Sequence, residues 1–188
     1  ANWITVPLET MPGAVVAEAM PALVQNWSWQ PWLLAIWLAG ALAMTLHLCL
    51  LQRRFLRSLG PLTPLSPGVF IAAHTDAGPA VIGLWRPRIV LPADFHQRFT
   101  PQQQILILSH ERSHARRGDV IAQAIASVLR CIHWFNPLLH VAVPRLRHDH
   151  ELASDTDVLR QYPDSRRRYA ATLLDAQLAV PGLPAGCL

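Results

Sequence analysis

Phe99–Asp119 reads FTPQQQILILSHERSHARRGD, and this stretch decides the fold. Thr100 can cap a helix, Pro101 suits its first turn, and Gln103 stands where a side chain reaches back to the cap. The spacing predicts a helix from there to Gly118, a residue type that ends helices in the left-handed conformation. Ile105, Leu108 and Ala115 are apolar positions that predict burial of much of this helix. Within it lies His110-Glu111-Arg112-Ser113-His114, an H-E-x-x-H pattern. Imidazoles four residues apart stack on one helix face and can bind one ion. A Glu beside the first can act as the base that takes a proton from water.

A catalytic zinc site needs a third protein ligand and an open position. Downstream, His148-Asp149-His150-Glu151-Leu152-Ala153-Ser154-Asp155 offers several donors. On a helix Glu151 and Asp155 share a face, so one carboxylate can bind metal while the other accepts a hydrogen bond from a ligand imidazole. Glu151 is the leading candidate. His148 and His150 are rivals that point to different faces, so at most one joins without distorting the helix. His133 and His140 lie in an apolar segment around a break at Asn136-Pro137 and read as packing or interfacial residues.

Upstream of the motif helix, Val69–Ala73, Ala80–Gly83 and Arg88–Pro92 are short β-compatible runs. The residues between the last two suit a tight antiparallel connection. A peptide substrate must be held extended, and Ala80, Val81, Ile82 and Gly83 form a candidate edge for it, with Arg88–Leu91 as the alternative.

Further upstream, Pro31–Leu51 reads PWLLAIWLAGALAMTLHLCLL, without an acid or an Arg. It is long enough to cross a hydrocarbon core as a helix. Trp29, Trp32 and Trp37 sit toward one end as interfacial anchors, and Arg53, Arg54 and Arg57 follow the other. The positive-inside rule puts the arginine side in the cytoplasm. The predicted organisation is an extracytoplasmic segment over 1–30, a transmembrane helix over 31–52 and a basic, Pro/Gly-rich linker over 53–68. A cytoplasmic catalytic domain over 69–180 and a flexible tail over 181–188 complete it. Between Gly118 and Arg145 the chain is apolar but interrupted by Arg130 and by Asn136-Pro137. That pattern predicts helices that pack or lie at the bilayer interface rather than a second clean span.

Composition excludes several classes. Of the 188 residues, 52% are apolar and 15% charged, which excludes a disordered chain. The 16 basic residues, all Arg, exceed the 12 acidic ones by too little to predict direct nucleic-acid binding. Cys49, Cys131 and Cys187 make neither a disulfide framework nor a zinc finger. The first residues lack a basic region followed by an apolar core, so they read as an internal piece of a longer protein or a processed start rather than a signal peptide. Asn26-Trp27-Ser28 matches a glycosylation acceptor and is assigned nothing.

HERSHARRGD, then HWFNPLLH (His133–His140), then RLRHDHELASD (Arg145–Asp155) together resemble the membrane-embedded metallopeptidases of the BlaR1/MecR1 type, peptidase family M56. The resemblance runs from about Trp32 to Val158 and includes GLWRPRIVLP (Gly83–Pro92). It implies that His110, His114 and Glu151 bind one Zn2+ ion, that Glu111 is the catalytic base, and that Asp155 holds a ligand imidazole. Members commonly carry Leu-Ala where this chain has Arg112-Ser113, and Cys where it has Ser154. Neither change removes a ligand, although Arg112 could alter burial of the helix or contact substrate. The implied fold class is α+β: a transmembrane helix, then a mainly helical zincin-like (gluzincin) domain with a small antiparallel sheet. The family topology places a further transmembrane helix after the catalytic domain, so the chain is expected to be a fragment or a truncated member. No β-lactam sensor is identifiable after Val158.

The expected function is a membrane-bound zinc endopeptidase of the bacterial inner membrane. Its substrate would be a cytoplasmic protein, such as a transcriptional repressor, or a loop of the protease itself. His148, His150, Arg145 and Tyr162 are candidates for an added oxyanion donor. The expected partners are the lipid bilayer and the peptide substrate, with self-association left open. A catalytically idle receptor or scaffold retaining a structural metal site is the alternative, and a zinc hydrolase of small molecules a third reading.

Overall fold

Residues 28–75 and 78–178 are described in a computed structural model of the chain. The expectations for residues 1–27, for Cys187 and for the tail lie outside the described residues. By internal contacts the chain divides at Trp37 into two units, and all that follows concerns the second, apart from the N-terminal end of the first helix. That helix, α1 (Gln30–Leu59), is continuous over 30 residues. It outlasts the apolar stretch because its first breaker is Gly60, left-handed at φ 66°. It is long and apolar enough to cross a membrane, with a mean hydropathy of 2.1 in its most apolar part. Leu42, Leu46 and Leu50 along it are exposed.

Four strands follow: β1 (Leu62–Ser66), β2 (Val69–Ala72), β3 (Ala80–Ile82) and β4 (Arg88–Leu91), arranged β1-β2-β4-β3. The connection before β4 makes the predicted antiparallel pair of β3 and β4, but β2 runs parallel to β4. The sheet is therefore mixed, not antiparallel throughout. After β2 the chain moves out to lay β3 at the edge and returns with β4 between them. β1 is a second correction, because its residues read as Pro/Gly-rich linker. Pro64 is tolerated since β1 is an edge strand, and Gly68 at φ 79° turns the chain into β2. The ordering also separates the two candidate substrate strands: β4 is paired on both sides, and β3 keeps an open edge.

Alternation along β4 builds two cores. Ile89 and Leu91 pack with Val69, Phe95, Phe99 and Ile107 on one face. Val90 packs with Leu59, Ala72 and Phe55 on the other. The first face is covered by α2 (Phe95–Arg98) and α3 (Pro101–Arg117), the second by the end of α1.

α3 begins with the predicted capping box. Thr100 accepts a bond from the Gln103 N–H, and Gln103 Oε1 accepts one from the Thr100 N–H at 2.9 Å. It ends at Gly118, left-handed at φ 71°. Its buried face differs from expectation: Ile105 is exposed, and Leu106, Ile107, His110, Glu111 and Ser113 are buried. The cause is what surrounds the helix, since α4 (Asp119–Ile132), α5 (Pro137–Gln161), a turn of 3-10 helix (Pro163–Ser165) and α6 (Arg166–Leu178) come next and α5 and α6 cover it. Ser113 Oγ donates to Asp157 Oδ2 at 2.5 Å and Ser109 Oγ to Gln161 Oε1 at 2.7 Å, both on α5. Gln103 Nε2 donates to Asp175 on α6 at 3.1 Å. Leu106 packs with Val158 and Tyr169 beneath these bonds.

Thr100→Ala removes the cap and should cost about 1 kcal/mol. Thermal unfolding in detergent should show a lower midpoint with no change in metal content. An unchanged midpoint would mean that the capping box does not stabilise α3.

Candidate metal centre

The two motif imidazoles lie one turn apart on the inner face of α3, and their Nε2 atoms approach to 3.0 Å. Two nitrogen lone pairs at that spacing repel unless a proton or a cation lies between them. Glu151, projecting from the facing helix α5, brings Oε2 to 3.4 Å from His110 Nε2 and 3.7 Å from His114 Nε2. His110, His114 and Glu151 are the group among the described residues whose ligand atoms converge closely enough to hold a metal ion. An ion held tetrahedrally by N and O donors at about 2.0–2.2 Å has ligand atoms about 3.3–3.6 Å apart. The observed triangle, with sides of 3.0, 3.4 and 3.7 Å, is close to that size, so these residues fit a single small cation. Glu151 is 51% exposed, which leaves the site open toward solvent.

The far side of each ring is held by oxygen. His110 Nδ1–H donates to the Tyr169 hydroxyl at 2.7 Å, and Tyr169 O–H donates to Asp155 Oδ1 at 2.6 Å. The same Asp155 oxygen lies 3.2 Å from His110 Nδ1. His114 Nδ1–H donates to Asp119 Oδ2 at 2.7 Å. Ser154 Oγ, fully buried, lies 3.2 Å from the same nitrogen. Bonds at Nδ1 fix the tautomer that presents Nε2 to a metal. Asp155 thus meets His110 through Tyr169 as well as directly. Neither Tyr169 nor Asp119 was singled out by spacing. Asp119 stands just past the Gly118 cap, where a short carboxylate can turn back toward the preceding helix, and that was a readable signal. Tyr169 comes from α6, and no local pattern marks it.

Protonation follows from these contacts. Burial opposes charge on His110, but its bonds to Asp155 and Glu151 overcome this and raise its pKa to about 10. His114 is likewise raised against burial, chiefly by Glu151. The two imidazoles hold the Glu151 carboxyl well below the usual carboxylate range. Glu111 is pushed up by burial, with the neighbouring imidazoles pulling the other way. Burial and the bond to Asp155 push the Tyr169 hydroxyl up, so it stays a donor.

The remaining sequence candidates are more dispersed. His150 Nε2 lies 3.9 Å from Asp119 Oδ1, behind His114 rather than in the donor triangle. His148 and Arg145 are exposed on α5. Tyr162 packs beside Val158 and lines a cavity of about 390 Å³ with Ser109, Arg112 and Gln161. Arg112 is exposed and so leaves the buried face of α3 intact. β3, with Ala80, Val81 and Ile82, lies against α3, and Gly83 leaves it at φ 94°.

The sequence profile described as BlaR1 peptidase M56 matches residues 5–187. The chain belongs to that family. It is 26% identical over 110 residues to the regulatory protein BlaR1 of Staphylococcus aureus, covering 58% of this chain and 19% of that protein. It is 33% identical over 82 residues to the methicillin resistance mecR1 protein of Staphylococcus epidermidis, covering 44% of this chain and 14% of that one. Against BlaR1 of Bacillus licheniformis the identity is 30% over 82 residues, with the same coverage of 44% and 14%. The chain thus spans less than a fifth of the length of these relatives. An apolar helix of spanning length accords with the membrane association of this peptidase family.

If Asp119 orients His114, Asp119→Asn should weaken metal binding about 10–100-fold. Competition with a chromogenic chelator measures this. Unchanged affinity would remove Asp119 from the centre.

Proposed function

We propose that this chain carries the catalytic part of an integral-membrane zinc endopeptidase, acting in signalling at the bacterial inner membrane. Its substrate is a cytoplasmic protein, a transcriptional repressor being one candidate, or a segment of the protease itself. The observation that carries the reading is the His110–His114–Glu151 triangle with a buried Glu111 beside it. Two imidazoles, one carboxylate and an open side suit zinc in a catalytic rather than a closed structural site. Arg53, Arg54 and Arg57 at the end of α1 favour a cytoplasmic site.

Zinc bound there would supply a Lewis acid that makes water more acidic and polarises a peptide carbonyl. Glu111 takes the proton as the water oxygen attacks the carbonyl carbon. It then delivers that proton to the amine nitrogen as the C–N bond breaks. Burial raises its pKa toward the range in which a carboxylate can both accept and return a proton. Asp119, Asp155 and Tyr169 keep both rings from turning. The open edge of β3 pairs with the backbone of an extended substrate, holding its carbonyl beside α3. Signalling fits a substrate chosen by proximity to the membrane, because α1 tethers the sheet directly through Phe55 and Leu59.

An idle scaffold with a structural metal would need no base next to its ligand, and a closed shell would cover Glu151. The discriminating experiment compares the chain with Glu111→Gln in detergent, measuring metal content, self-cleavage and cleavage of cytosolic proteins. Both should hold about one zinc, with cleavage reduced about 10²–10⁴-fold by the substitution and abolished by a chelator. Equal cleavage by both would exclude Glu111 as the base. Zinc in both with cleavage by neither would favour the scaffold.

A further inference from the structure

α4 is built inside out. Along its inner face Asp119, Gln123 and Ser127 are buried and Arg130 is half-buried, one polar residue per turn. Its outer face carries Ile121, Ile125, Val128 and Leu129, all exposed, with Val128 57% open. The helix of a water-soluble domain turns its apolar stripe inward. Here the polar stripe faces the protein. The apolar surface continues past the α4–α5 turn through Phe135, Leu138 and Val141, with Leu138 74% exposed.

The turn pairs much of its own backbone internally. His133 N–H donates to Leu129 O and Asn136 N–H to His133 O, both at 2.9 Å. The Asn136 side chain accepts from Leu138 N–H at 2.9 Å, and His140 Nε2 lies 2.8 Å from Trp134 O, its N–H donating. Non-helical backbone survives at membrane depth only when its polar groups are satisfied internally. The turn also has a fixed address. The Trp134 indole lies directly over Gly40 of α1, where any Cβ would collide with it. Gly40 stands near the middle of the apolar stretch Pro31–Leu51. The 14 residues of α4 rise about 21 Å. That matches the rise of about 20 Å along α1 from Gly40 to Arg53.

We propose that α4 and the first two turns of α5 form a re-entrant hairpin that enters the bilayer from the side of the metal centre. Its tip is seated at mid-depth on Gly40, and its outer face is covered by lipid acyl chains. This rests on reading α1 as a membrane span. Fourteen residues are too few to cross, but they suffice to reach the middle, and α5 makes the return. Arg130 is kept from lipid by its place on the inner face, as intramembrane charges are. A protein partner would call for polar groups around the apolar patch, and the outer face of α4 carries none from Ile121 to Leu129. The exposed His133 and His140 at the turn each place a ring nitrogen on a carbonyl of the hairpin itself, Leu129 O and Trp134 O. The hairpin fixes the metal centre at the membrane surface, because Asp119, which holds His114, is the first residue of α4.

The test is depth measurement by spin labelling of the full chain in liposomes. All three cysteines are replaced by Ser, and single cysteines are placed at Leu42, Ile121, Val128 and Leu138. Collision with oxygen reports lipid, and collision with a water-soluble nickel chelate reports water. Labels at Val128 and Leu138 should match the deep label at Leu42, oxygen-accessible and nickel-protected, with Ile121 shallower. Deep Leu42 with nickel-accessible Val128 and Leu138 would overturn the hairpin alone. Val128 shielded from both reagents would mean protein covers the face, a second copy or another segment, and would overturn lipid as its occupant. Nickel-accessible Leu42 would overturn the span, and the hairpin with it.

Discussion

The distance between His110 Nε2 and His114 Nε2, 3.0 Å, is the constraint around which the domain is arranged. Two imidazoles on one helical face can turn the same nitrogen to one point only if their other nitrogens are held. Three elements do the holding: α4 through Asp119, α5 through Asp155 and Ser154, and α6 through Tyr169. α3 itself is fixed by the sheet on one side and by hydroxyl bonds to α5 on the other. Of the polar side chains buried on α3, Ser109, His110 and Ser113 are each specifically paired, as burial of polar groups requires.

In this arrangement the domain is mostly helical and its sheet small. The sheet presents β3 as an open edge beside α3 and gives Ile107 an apolar floor. Its other face rests on Phe55 and Leu59 of α1. The helix that reads as a membrane span thus ends as part of the folded domain.

Legibility in the sequence followed locality. The H-E-x-x-H spacing, the Thr100–Gln103 capping box, the Gly118 stop, the Asn136-Pro137 break and the Glu151–Asp155 pairing are all set within a turn or two of helix. Each was readable. The parallel pairing of β2 with β4 depends on where a distant strand is laid, and β1 was masked by Pro64 in a run rich in turn formers. The burial of α3 was misread at Ile105, because the face covered by α5 and α6 is set by tertiary contacts. Tyr169 reaches His110 across 59 residues of sequence, a relation no period in the chain encodes. Asp119 was within reach, five residues after His114 and next to a left-handed glycine.

The central claim is that His110, His114 and Glu151 hold one zinc ion through two nitrogens and one oxygen. X-ray absorption at the zinc edge of the loaded chain tests it most directly. The account predicts a shell of N and O scatterers at about 2.0–2.2 Å with the outer-shell signature of two imidazoles, and a changed shell in Glu151→Ala. A sulfur scatterer at about 2.3 Å, or a shell without imidazole, would place the metal elsewhere and contradict it.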